Sequence, residues 1–395
     1  MALRPLPVLS ALLVPVLVSA APPALPGIAD AVQKHIAANE IAGAVTMVVT
    51  KDQVLHLEAT GLADREASRP MATDQVFAIF SMTKPVCGAA ILLLKDEGRL
   101  RLDDPVAKHI PEFAALKTPS GQPANLTLVQ LLNHTSGLGE AGGPAAREAK
   151  TLAELIPLFL AAPMNFEPGT RWRYCQSSIN TAARVVEVVS GQTFDEFVAD
   201  RFFRPLGMKD TGHYPDAARA ARIATAYAKN RETGLLEPTR TGDPTTRNRP
   251  PTGNSGLYST AADYARFCQM LMNGGELDGR RYLSAAAVKQ LSSITTGDIP
   301  AGFFQSETYG SRVTNYGWGV GTCVLREPHP GVAQMLSPGT FGHGGAWGTQ
   351  AWIDPVKGIA YILMVQRANF PNSDASDLRR DFQQAAADAA TARAQ

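Results

Sequence analysis

The sequence predicts an α/β fold in which one antiparallel sheet, assembled from both ends of the chain, carries an inserted helical lobe. Two observations predict it. Strand-like runs occur near the start (Gly43 to Thr50, Gln53 to Thr60) and again in the last third (Trp318 to Leu325, Phe341 to Trp352, Ile359 to Gln366). Between them, from about residue 100 to 230, the pattern is helical in short pieces. The composition is globular: 45% hydrophobic and 18% charged, with 34 Gly and 28 Pro in 395 residues. It excludes a disordered tail, a collagen-like repeat and a coiled coil. Lys+Arg of 37 against Asp+Glu of 36 leaves +1, so no polyanion-binding surface and no nucleic-acid partner is expected. The four cysteines (Cys87, Cys175, Cys268, Cys323) are too scattered for a disulfide scaffold or a metal site with paired ligand spacing.

Taken in chain order, Met1 to Ala20 reads as a signal peptide. Arg4 supplies the charged start, Leu6 to Val18 the apolar stretch, and Val18-Ser19-Ala20 the small-residue cleavage site. Pro7 and Pro15 interrupt that stretch, which is shorter than the roughly 20 apolar residues a membrane span needs. Cleavage near Ala20 implies a periplasmic or secreted protein, and no later segment is apolar enough for stable membrane insertion. Leu25 to Asn39 has Ile28, Val32 and Ile36 on one helical stripe. The two strands that follow are joined by the polar turn Lys51-Asp52, which predicts a hairpin. Val86 to Leu94 is apolar nearly all round, a helix for the centre of the fold, and Gly98 sits where it would end.

Thr127 can cap Leu128 to Asn133, Thr151 can cap Leu152 to Ala161, and Ser177 or Ser178 can cap Ile179 to Val189. Leu235 to Asn254 has no periodicity and predicts a long irregular loop. Helices are expected at Ala261 to Asn273, stopped by Gly274-Gly275, and from about Ser376 to Ala392. Residues 21–395 are therefore expected to form one catalytic unit. Its α/β lobe spans about 25–78 and 256–392, and its helical lobe about 79–255.

Three clusters carry candidate chemistry. Ser81-Met82-Thr83-Lys84 opens the buried helix, and residues three apart on a helix share a face. A serine at a helix N-terminus gains from the dipole when its oxygen turns anionic, and a lysine in an apolar setting is easier to deprotonate. Read alone, the pair is also what a capping serine and a surface lysine look like, although the apolar helix that follows suits a surface lysine poorly. Tyr174 lies in Pro168 to Gln176, a loop leading into a helix, where a tyrosine is ordinarily a half-buried packing residue. Gly342-His343-Gly344-Gly345-Ala346-Trp347-Gly348 lies on a strand, and glycines there mean that something approaches the backbone closely. His343 is then a proton donor, a ligand binder or a packing residue. Cys175, beside Tyr174, reads as a buried small hydrophobe, and Cys87 and Cys175 are expected to stay packed and reduced.

In this order the clusters resemble the serine β-lactamase and penicillin-binding-protein superfamily, with S-x-x-K, then Y-x-N, then K-T-G or H-x-G on a strand. Gly61-Leu62-Ala63-Asp64, Phe77 to Ser81, Leu131 to Leu138, Pro205 to Thr211 and Ser255 to Ser259 are similar to the branch of class C β-lactamases, D-alanyl-D-alanine carboxypeptidases and family VIII carboxylesterases. The resemblance spans about residues 25 to 390. It implies a β-lactamase/DD-peptidase-like fold that takes a small-molecule ester or amide and uses neither metal nor cofactor. Ser81 would be the acylated nucleophile, and Lys84 with Tyr174 the pair that moves its proton. Backbone N–H groups of Ser81 and Ala346 would form the oxyanion hole. His343, Gly344, Gly345 and Gln176 would contact substrate, His343 alternatively holding the Tyr174 oxygen, while His134 belongs to a structural turn.

Two departures bear on the substrate. Gln176 replaces the usual Asn of Y-x-N, which moves the amide that would grip a β-lactam or a peptide. His343-Gly344-Gly345 replaces K-T-G, and an imidazole is a poorer clamp for a carboxylate than an ammonium. The expected function is therefore an exported serine carboxylesterase for small, mostly uncharged acyl esters. A β-lactamase, D-alanyl-D-alanine carboxypeptidase or amidase of the same fold is the second reading, and a non-catalytic relative that binds cell-wall peptides the third. The loop Leu235 to Asn254 and the aromatics Tyr258, Tyr316, Trp318 and Trp347 are expected to shape the acyl pocket.

Overall fold

The computed structural model describes residues 23–239, 241–302, 304–305, 312–313, 315–328, 333–370 and 376–394, so the expected signal peptide lies outside the described residues. The centre is an eight-stranded sheet, antiparallel throughout. Its strands are β1 (Gly43–Val49), β2 (Val54–Asp64), β3 (Arg69–Pro70), β4 (Tyr316–Trp318), β5 (Cys323–Leu325), β6 (Phe341–Gly344), β7 (Gln350–Asp354) and β8 (Ile359–Met364). The order β4-β5-β6-β7-β8-β1-β2-β3 places the C-terminal strand beside the first. β1 and β8 are buried along their whole length because both faces are covered. Alternate residues take opposite sides. Val45, Met47, Val49, Ala360, Ile362 and Met364 join the core on one face; Ala44, Val48, Ile359, Tyr361 and Leu363 join the core on the other.

The second face is covered by helices α1 (Ile28–Ala37) and, at the far end of the chain, Asp377–Ala394, which pack on each other. The first face meets the helical part of the molecule, centred on α2 (Thr83–Asp96), which is buried without interruption from Thr83 to Leu94. α2 packs against the helix Gln176–Ser190, here α3, and against the turn joining β4 to β5. Gly88 makes that second contact possible. A methyl group there would come within 2.2 Å of the Val320 carbonyl oxygen, so the helix lies directly on backbone.

The elements follow the sequence closely, with three corrections. Trp318 to Leu325 and Phe341 to Trp352 are each two strands rather than one, folded at Gly319–Thr322 and Gly345–Thr349. The glycines that interrupt the alternation mark turns. α3 begins at Gln176, earlier than a serine cap allows, because the Cys175 sulfur accepts from the Ser178 N–H and the Glu140 carboxylate accepts from the Gln176 and Ser177 N–H groups. Leu235 to Asn254 is not wholly irregular: Leu236–Pro238 pairs with Tyr227–Lys229, which pairs in turn with Arg367–Ala368. Thr127 caps its helix through a capping box with Gln130, and the Thr151 side chain accepts from Glu154 N–H, both as expected.

Candidate active site

Ser81 lies in a single tight helical turn, Phe80–Met82, directly before α2. Phe80 holds a left-handed backbone (φ 45), unfavourable for a bulky residue and kept by its surroundings. Its ring packs on Trp347 at 4.5 Å, its carbonyl accepts from Thr83 Oγ1 at 2.6 Å, and the neighbouring Ile79 N–H is bound to Leu257 O. Lys84, one helical turn on, is fully buried. Its Nζ lies 3.0 Å from Ser81 Oγ, 2.8 Å from the Asn254 carbonyl oxygen and 4.6 Å from the centre of the Tyr174 ring. The structure thus brings Ser81, Lys84 and Tyr174 together.

Tyr174 is half-buried among aromatic rings: His134 at 4.5 Å, Trp318 at 5.9 Å, His343 at 5.9 Å and Trp172 at 6.3 Å. Its backbone is clasped from both sides by His134. The Arg173 N–H donates to His134 O at 3.1 Å, and the Cys175 N–H donates to His134 Nδ1 at 3.1 Å. His134 is a turn residue as expected (φ 64), yet it also seats the tyrosine. Burial, with Lys84 and His343 nearby, pushes its pKa well below the ordinary 6.5.

His343 reaches the Tyr174 oxygen from β6, with Nε2 3.4 Å from Oη. Its Nδ1 lies 2.7 Å from Gly344 O. A carbonyl only accepts, so Nδ1 carries the hydrogen and Nε2 presents a lone pair to the phenol. Burial first, then Lys84, lowers the His343 pKa to about 3, and the imidazole is neutral at physiological pH. Beyond it, Gly345 lets β6 run against the stretch before Ser81: a methyl group there would lie 2.5 Å from the Ile79 carbonyl oxygen. Ala346 follows at the exposed start of the turn, and its N–H has no acceptor among the described residues.

Gln176 is engaged by Asn254, whose Nδ2 donates to Gln176 Oε1 at 2.8 Å. Asn254 is the residue sequence reasoning missed. Its carbonyl holds Lys84, its N–H donates to Asn180 Oδ1 at 3.1 Å, and its amide meets Gln176. The only sequence signal was its place in a long aperiodic loop. Beside this bridge lies a cavity of about 390 Å³ lined by Glu140, Phe159, Gln176, Arg249, Asn254 and others. Trp318 and Trp347 stand at the site, whereas Tyr316 is fully buried and packs on Trp352 in the core on the second face. Cys87 and Cys175 are buried thiols, raised by burial to about 12 and about 11, which leaves neither a nucleophile at neutral pH.

The fold and this cluster together define a serine hydrolase. Residues 28–386 match the Beta-lactamase family model, and the chain belongs to that family. Among its relatives, Penicillin-binding protein 4 of Amycolatopsis lactamdurans is 31% identical over 340 residues, covering 85% of this chain and 84% of the relative. Esterase EstB of Burkholderia gladioli is 29% identical over 365 residues, covering 83% and 86%. Among solved structures, EstCE1, a hydrolase with promiscuous acyltransferase activity, superposes with a TM-score of 0.76 at 24% identity, covering 91% of this chain and 97% of the other.

Proposed function

We propose that the protein is an exported carboxylesterase acting on small, uncharged acyl esters through an acyl-enzyme on Ser81. In this reading Ser81 Oγ attacks the ester carbonyl while its proton passes to the Lys84–Tyr174 pair. The carbonyl oxygen, now anionic, is met by the N–H groups of Ser81 and Ala346. Collapse breaks the bond to the alcohol, which leaves with that proton. Water then attacks the acyl-enzyme, the pair taking its proton and returning it to Ser81 as the acid is released. His343 accepts the Tyr174 O–H in the resting site and so fixes the direction of the phenol.

The observation that carries the choice of ester is His343. Where a K-T-G triplet presents a lysine cation to a substrate carboxylate, this site presents a neutral ring with one nitrogen tied to Gly344 and the other facing Tyr174. The Gln176 amide oxygen is also engaged, by Asn254. The likeness to Esterase EstB supports the same reading, whereas the likeness to a Putative D-alanyl-D-alanine carboxypeptidase of Escherichia coli supports that activity as the second. Mature protein and a Ser81→Ala control would be assayed on 4-nitrophenyl esters of graded chain length, a chromogenic cephalosporin and a D-Ala-D-Ala peptide. Rapid short-chain ester turnover that vanishes in Ser81→Ala is the expected result, and preference for the cephalosporin or peptide sinks the proposal. N-terminal sequencing of the protein recovered outside the cytoplasm checks export, with a start at Ala21 expected.

A further inference from the structure

A second cavity, of about 400 Å³, is lined by none of the residues assigned above to the catalytic site. Its charged lining residues are Arg204, Lys209, Arg219 and Arg247 against the single carboxylate Asp195. Arg247 pairs with Asp195 at 3.1 Å and Arg219 with Asp216 at 3.3 Å, and Arg204 pairs with Asp200. Lys209 has no carboxylate within 4 Å among the described residues. The lining grades inward, from exposed Arg204 and Lys209 through half-buried Arg219 to His213, which is only 3% exposed.

His213 has an unusual feature for so buried a group. Its Nε2 lies 3.0 Å from the Thr252 carbonyl, which only accepts, so Nε2 carries the hydrogen and Nδ1 a lone pair. Nδ1 finds no donor among the described residues. A buried acceptor without a partner is destabilising, and a ligand donor would relieve it. The Cδ2–Nε2 edge of the ring faces Gly256 and Thr252, which leaves Nδ1 on the opposite edge of a ring that lines the cavity. Burial lowers the His213 pKa to about 4, so near neutral pH the ring offers only this lone pair.

We propose that this cavity binds a small oxyanion that also carries an O–H, its charge facing Lys209 and the arginines and its hydroxyl donating to His213 Nδ1. Hydrogen phosphate and 2-hydroxycarboxylates combine the two features, whereas sulfate and simple carboxylates have the charge alone. The site is wired to the loop that presents Asn254 to Lys84. Arg249 Nη2 donates to His213 O, Tyr214 Oη donates to Arg249 O, both at 2.6 Å, and His213 Nε2 donates to Thr252 O.

Titration calorimetry of the purified protein at about pH 7, where phosphate keeps a proton, tests this with two matched pairs, phosphate against sulfate and lactate against propionate. The hydroxylated member of at least one pair should bind about tenfold more tightly than its partner. Which pair shows the selection identifies the ligand as a phosphate or as a hydroxy acid. Lys209→Ala, on the exposed rim, should weaken both members of that pair, and His213→Phe should bring their ratio close to one. The proposal is overturned by equal affinities within both pairs, by no binding of any of the four, or by Lys209→Ala binding like the parent. Retention of the full ratio in His213→Phe overturns it as well. If His213→Phe does not fold, the parent ratios and Lys209→Ala still decide.

Discussion

Lys84 is held from Ser81, Asn254 and Tyr174, and only the first of these contacts was written in the motif. Its spacing from Ser81 is fixed by one helical turn, but the Asn254 carbonyl and the Tyr174 ring reach it from segments 170 and 90 residues away. Gln176 closes this arrangement through its bond to the Asn254 amide. An asparagine at 176 is one methylene shorter and cannot span the same 2.8 Å contact without moving the loop. Gln176→Asn should therefore loosen the hold on Lys84 and free an amide for substrate. Ester kcat/KM is expected to fall by about tenfold, the worth of one hydrogen bond to a positioned group, while turnover of a chromogenic cephalosporin rises relative to it. Parallel kinetics on the two substrates read this out, and an unchanged ratio between them removes Gln176 from substrate selection. The sequence made Ser81, Lys84, Tyr174 and His343 visible because each sits in a short string. Asn254 and the double clasp of His134 on Tyr174 stayed hidden because they are contacts between strings.

At the scale of elements, the position of α2 decides whether the site exists. The helix is apolar on every side, so hydrophobicity alone buries it without choosing its depth. Depth is set where Gly88 meets the Val320 carbonyl and Gly321 approaches the Lys84 carbonyl. Gly88→Ala places a methyl against backbone, and relief requires the whole helix to shift. Overpacking of this kind costs about 1–3 kcal/mol, which for a chain this long lowers Tm by about 1–4 °C. Turnover should fall further than that loss of stability explains, because the shift carries Ser81 and Lys84 with it. Leu92→Ala, further along the same helix, is the comparison: it leaves a cavity of similar or greater cost without touching the Gly88 contact. Equal activities for the two variants at matched stability would show that helix depth does not set the geometry. The helices and the first hairpin were legible because their periods and caps are local. The two late hairpins were not, since glycines inside Phe341 to Trp352 read equally well as a close approach to one continuous strand, which hides the Gly345–Thr349 turn.

The whole molecule is closed by β8 lying beside β1, and the chain's described start is tied into the same sheet through His56. Its Nδ1 accepts from the Leu25 N–H at 3.0 Å, so Nε2 donates to Thr46 Oγ1 at 2.8 Å, and the first of these bonds needs the neutral ring. That the sheet draws on both ends was legible from where the strand-like runs fall, but these ties were not. His56 is also one of four buried histidines among the described residues, with His134, His213 and His343, whose pKa is depressed from 6.5 by burial: to about 4 for His56 and His213, to about 3 for His343, and well below 6.5 for His134. In each case the unfolded chain binds the proton first. The stability these groups contribute is therefore complete above pH 6.5 and is lost as pH falls from 6.5 toward the folded values of about 3 to 4. Each contributes a slope of up to about 1.4 kcal/mol per pH unit, and His56 alone accounts for roughly 3 kcal/mol across its window. Glu187 and Asp263, raised by burial, act in the opposite sense, since their folded forms hold a proton longer than the unfolded ones. Four groups against two leave a net loss. Urea unfolding at about pH 7 and about pH 5 should show markedly lower stability at the acid value. His56→Asn, which keeps an acceptor for the Leu25 N–H but does not titrate, should flatten that difference by up to one histidine's share. Equal unfolding free energies at the two pH values, or a difference that His56→Asn leaves untouched, would mean that the buried imidazoles do not govern how this fold fails in acid.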